Sequence, residues 1–175
     1  MASAITGSFY LTATASGTRA QSTVDLSAYV NVPTGQAIAI ESVDFVHQTS
    51  SDFGTDVTSM LAANGAISAQ LTDLNPGTAF VRADNQSLIA SSGMQIDVAN
   101  NIASNQADLY PDNFGPAAHS ESFMVVNDTL YLTAGPDNAN VSTTSVFVTA
   151  RIRCRVVKLS TKDWMAIAIQ STAEA

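Results

Sequence analysis

Alternation of apolar and polar residues with a period of two constrains this chain most. It is clearest from Val141 to Leu159. There Val146, Val148, Ala150, Ile152, Cys154 and Val156 share one parity, and Phe147, Thr149, Arg151, Arg153, Arg155 and Val157 share the other. Period two belongs to a pleated strand with one face buried and one exposed. A helix would scatter both sets around its circumference. The run exceeds the usual strand of about 5–6 residues, so it is expected to bend or to pair with two neighbours in turn.

The same pattern recurs along most of the chain. Strands are expected over Ser8–Ala15, Thr23–Val32, Gln36–Thr49, Ile67–Leu74, Thr78–Ala83, Gln86–Ala90 and Gly93–Val98. Parity changes between Ile38, Ile40 and Val43, Phe45, which places a bulge near Ser42. Asn75–Pro76–Gly77 reads as a turn. Residues 55–63 suggest one short helix. Residues 99–120, rich in Asn and Asp and punctuated by Pro111, Gly115 and Pro116, read as a long irregular connection. Glu121–Ala134 reads as a hairpin about Asn127–Asp128.

Eight or nine short strands at this spacing imply an all-β antiparallel sandwich or barrel. Only the end breaks the rule. After Ser160, with Asp163 three residues on as an approximate capping box, Trp164, Ile167 and Ala168 fall on one helical face, with Met165 and Ile169 beside it. Residues 160–172 are therefore expected to form a C-terminal helix, and residues 1–175 one sandwich domain. Alternation of Met165, Ile167 and Ile169 also permits a strand.

The polar positions are mostly neutral. Charged residues are 13% of the chain, while Ser, Thr and Asn number 20, 18 and 11. Net charge is −8, with 12 of the 15 acids Asp, a residue that prefers turns to helix interiors. So acidic a chain is not expected to bind nucleic acid over its whole surface. The charge is also unevenly placed: residues 1–150 hold 2 basic and 13 acidic residues, residues 151–175 hold 5 and 2.

No constellation of reactive residues emerges, so no enzyme is expected, and no cofactor or metal. His47 and His119 are the two histidines; His119–Ser120–Glu121 lacks the cysteines of a zinc deaminase. No nucleophile elbow, P-loop or dinucleotide fingerprint occurs. The single cysteine, Cys154, lies on the apolar parity and reads as a small buried hydrophobe. Asn85, Asn127 and Asn140 begin N-x-[ST] triplets, but Met1–Ala15 carries no Lys or Arg and no continuous apolar core, so no secretion signal is expected. Synthesis in the cytoplasm thus goes with an externally styled composition.

The basic cluster is the sharpest feature. Arg151, Arg153 and Arg155 share one strand face, and Lys158 and Lys162 follow. They could pair with nearby Asp residues as a solvated sheet face, or contact a negative partner: nucleic acid, lipid headgroups or an acidic neighbouring copy. Trp164, Met165, Ile167 and Ile169 are candidates for packing over the sandwich or docking into an adjacent subunit.

A single antiparallel sandwich of this size, rich in Asn, Ser, Thr and Ala, whose long strand Phe147–Leu159 leads into Ser160–Thr161–Lys162–Asp163–Trp164, resembles the single jelly-roll capsid proteins of viruses. The resemblance implies an eight-stranded roll of two packed sheets and a virion location. It also implies a role as a major capsid subunit that assembles with copies of itself, and with other virion proteins, into capsomers and a shell. The alternative is a carbohydrate-binding or adhesin-like sandwich of a spike, tail or cell surface, for which Tyr110–Phe114 would be the platform. A small glycosidase would need two facing carboxylates in a cleft.

Overall fold

A computed structural model of the chain describes residues 3–4, 6–7, 9–16, 19–31, 33–49, 61–82, 84–85, 87–110, 123–137 and 146–173. Among these residues the strands are β1 (Ser3–Ala4), β2 (Phe9–Ser16), β3 (Ala20–Asp25), β4 (Gln36–Gln48), β5 (Gly65–Thr72), β6 (Leu88–Asp97), β7 (Ile102–Tyr110), β8 (Phe123–Val125), β9 (Thr129–Asp137) and β10 (Phe147–Lys158). One helix, α1 (Thr161–Ala173), follows.

The strands form two antiparallel sheets. In the first, β10 lies between β4 and an interrupted edge made of β2 and β1, and β8 pairs with the far side of β4. The second has the order β3-β9-β5-β6-β7. The pairs β2–β10, β3–β9, β4–β8 and β5–β6 nest inside one another along the chain, and successive pairs alternate between sheets. That is the winding of a jelly roll, with β7 added at the edge beyond β6.

Side chains from the two inner faces fill the space between the sheets. Ile38 and Ile40 of β4 and Ile152 of β10 meet Ile67 and Leu71 of β5, Ile89 of β6, and Leu130 and Leu132 of β9, all fully buried. Burying each contributes about 1.5–3 kcal/mol. A second apolar cluster lies on the outer face of the first sheet. There α1 covers Ala37, Ala39, Val126, Val157 and Leu159. Small side chains at Ala37 and Ala39 let the helix approach the sheet. Ser160 caps α1: its Oγ accepts from Asp163 N–H at 3.2 Å.

β10 carries the alternation read from the sequence, with its apolar parity buried from Val146 to Val156. It pairs on one side with β2 and then β1, and on the other with β4 along its whole length. The bulge falls where parity breaks: Arg153 faces Ser42 and Cys154 faces Ile40, so Glu41 is the extra residue.

Several expectations are corrected. Phe123–Val125 and Thr129–Asp137 are not a hairpin; β8 pairs with β4 and β9 with β3 and β5, so the short link between them crosses from one sheet to the other. The two strands expected near 86–90 and 93–98 are one: β6 runs unbroken from Leu88 to Asp97, with Ser91 and Ser92 buried beside a register shift. β7 occupies much of the stretch read as irregular. β3 ends at Asp25, whose Oδ1 accepts from Ser27 N–H (2.9 Å) and starts a helical turn closed by Val30 N–H on the Leu26 carbonyl. Residues 78–82 are not a strand. The backbone of Val81 pairs with the Gln70 side-chain amide instead, both bonds at 2.8 Å. Residues 111–122, with His119 and most of the Tyr110–Phe114 platform, lie outside the described residues, as do 50–60 and 138–145.

Candidate interaction surface

The outward parity of β10 forms a row running away from α1. Val157 lies under the helix, then come Arg155, Arg153 and Arg151, with alternate residues about 6.6 Å apart. The bulge supplies the row with an acid. A bulge puts two successive residues on one face, so Glu41 joins Ser42 on the outer side, where it is 8% exposed. Arg155 donates from Nε to Glu41 Oε1 at 3.3 Å, and Arg153 Nε lies 3.9 Å from Glu41 Oε2.

The three arginines are therefore not equivalent. Arg155 is well covered and paired. Arg153 keeps a side chain 50% exposed at the margin of the same carboxylate. Arg151 is exposed, faces Thr12 of β2 and Asp44 of β4, and has its guanidinium 5.0 Å from the centre of the Tyr10 ring. Tyr10 is itself 55% exposed. Cation and ring thus form an open ledge that favours planar or anionic groups.

Lys158 and Lys162 lie exposed at the junction of β10 and α1. Among the described residues neither has a carboxylate within salt-bridge reach. Trp164 and Ile167 pack inward with Ala168, whereas Met165 and Ile169 point out, 54% and 64% exposed. The structure thus gathers the arginine row and the helix on one outer face and divides the four apolar tail residues between its two sides.

Glu41 was missed at the sequence level. Its signal is a lone acid beside a parity break in the strand that neighbours an arginine row. Cys154 faces the core, where burial, assisted by the Glu41 charge, pushes its thiol up to about 12. It stays protonated and unreactive. His47 also points inward and is buried; burial lowers its pKa, opposed in part by the Ile67 backbone. Among the described residues no three His, Cys, Asp or Glu side chains are grouped to hold a metal ion, and no helix is long and apolar enough to cross a membrane.

No family model and no curated protein matches this chain. Among solved structures, a chain in the atomic structure of Sulfolobus Turreted Icosahedral Virus is similar over 91% of this chain and 32% of its own, with 15% identity and a TM-score of 0.40. A chain in a structure of the triple jelly roll fold and turret assembly in an archaeal virus is similar over 90% and 30%, with 14% identity and a TM-score of 0.39. This chain spans about a third of the length of the solved chains it matches.

Proposed function

We propose that this chain is a virion structural protein, a major capsid subunit without catalytic activity that assembles with its own copies into capsomers and a shell. A fold alone hosts many functions, so the reading rests on what the jelly roll presents outward. The observation that carries it is the cationic and apolar outer face of the first sheet, borne by a chain whose first 150 residues hold 13 acids against 2 bases. A subunit that carries a patch together with its electrostatic complement is suited to meeting copies of itself. The abundance of Ser, Thr and Asn fits a surface that remains soluble at low charge. Other virion proteins are further partners in this reading, and the arginine row is where nucleic acid or a membrane surface would make contact.

The test is to measure solution mass against protein concentration and salt while imaging the same samples by negative stain. Rings, sheets or shells that dissociate as salt rises are expected. A chain that stays an 18.2 kDa monomer at every concentration and binds glycans instead would overturn the proposal.

A further inference from the structure

We infer that the outward side of α1, with the lysines at its base, docks onto the acidic end of the second sheet of another copy, where β3 ends and β9 begins. The inference rests on the self-assembling reading above and names the surfaces that would meet. The inner side of α1 is already occupied by its contacts with Val157, Leu159 and the paired alanines. Its outer side presents Met165 and Ile169, one turn apart, as half or more exposed apolar side chains. Lys162 stands in the first turn of α1, the end where the helix dipole disfavours a cation. Asp163 beside it offsets part of that cost, but among the described residues no carboxylate lies within salt-bridge reach of Lys162 or Lys158. Both ammonium groups are exposed and open to an external negative partner.

The same chain supplies one. Asp25 and Asp128 are exposed where β3 ends and β9 begins, drawn together by Leu26 N–H donating to the Asp128 carbonyl at 2.7 Å. The connection between β5 and β6 leaves and rejoins the sheet at the same end, through the bonds Asp73 N–H to Ser87 O and Asn127 Nδ2 to Asp73 O, and carries exposed Asp84. Arg82 is also exposed on that connection, so the acidic excess there is local but not complete. Donor patch and acceptor patch are different surfaces of one molecule. The contact is therefore head-to-tail, and its repetition closes a ring when the rotation permits. A lipid surface fits less well, because a helix lying in a membrane interface needs a broad apolar face and α1 offers a stripe one side chain wide.

Charge exchange in the full chain tests this. Lys158→Glu with Lys162→Glu in one variant, and Asp84→Lys with Asp128→Lys in another, should each raise the concentration at half-association about tenfold or more. Mixing the two variants should restore association, because opposite charges meet again. Met165→Ser with Ile169→Ser should weaken association without altering its salt dependence. All six side chains are exposed, and unchanged far-UV circular dichroism would confirm folding. If either charge variant associates like the parent, or the mixture no better than its components, the surface is wrong while shell formation stands. A parent chain that never associates overturns the assembly reading and this contact with it. If the lysine variant self-associates normally but no longer floats with phosphatidylserine vesicles that bind the parent, the partner is a lipid surface and the inference fails.

Discussion

Both sheets have their outer faces partly covered, but by different means. On the first, α1 lies over Ala37, Ala39 and Val157 and is held by apolar contact. On the second, the connection between β5 and β6 folds back over the strands and is held by polar bonds. Gln70 pairs with both backbone groups of Val81, and Gln21 Nε2 donates to Asn75 Oδ1 at 2.8 Å and to the Gly77 carbonyl at 2.7 Å. Arg19 donates to the Thr78 carbonyl at 3.0 Å while its guanidinium stacks 3.9 Å above Phe80. Beneath, Thr72 and Thr133 are fully buried. An apolar lid tolerates sliding, because dispersion and burial are not directional. A hydrogen-bonded lid is fixed in one register, and leaving a buried partner unsatisfied is costly.

Removing the anchor of the helical lid gives the largest expected effect. Trp164→Ala should lower unfolding free energy by about 3 kcal/mol and reduce helical circular dichroism before the sheets melt. Trp164→Phe should lie within about 1 kcal/mol of the parent, because the buried indole N–H has no described hydrogen-bond partner to lose. Equal loss in both variants would mean the helix is not held by packing. Next is the boundary of that lid: Glu41→Ala leaves Arg155 covered and without its carboxylate, at about 2 kcal/mol after allowing for the exposure of Arg153. Denaturant midpoints would read it. On the opposite face, Gln70→Ala should cost about 1–2 kcal/mol and speed proteolytic cleavage within 75–82; protease resistance equal to the parent's would show that the polar bonds do not hold the loop.

The smallest effect at neutral pH concerns His47, which is buried on the inner side of β4. Burial lowers its pKa in the folded state, so folding favours the neutral ring. Its contribution is fully present above the unfolded value of about 6.5. It declines as pH falls below that value, until the folded pKa is passed. The thermal midpoint of the parent should therefore drop more between pH 7 and pH 5 than that of His47→Leu. Parallel curves would place the pH dependence elsewhere.

The two lids also differ in how far the sequence reveals them. Helical spacing of Trp164, Ile167 and Ala168 after a capping serine marks α1, because apolar packing writes a period. The polar lid writes none. Thr78–Ala83 alternates like a strand, yet its backbone partner is a side-chain amide 11 residues away. The same limit explains the false hairpin. Asn127–Asp128 turns the chain equally well whether the flanking strands pair or separate into two sheets, and only the nested pairing decides. The bulge was legible because it shifts parity within β4; Glu41's part in the arginine row depends on which strand lies alongside, which one strand's pattern does not record.

The central position of β10 also bears on how the molecule is made. A ribosome delivers β2 and β4 long before residues 147–158, yet those two strands are joined only through β10. Until it arrives, each has an open edge able to pair with other chains. Pairing across nearly the full length of the chain is slow, on the order of milliseconds to seconds for folds of this kind. A translational pause just before Phe147 should therefore raise aggregation more than an equal pause after Leu159, because only the later pause leaves the sheet its middle strand.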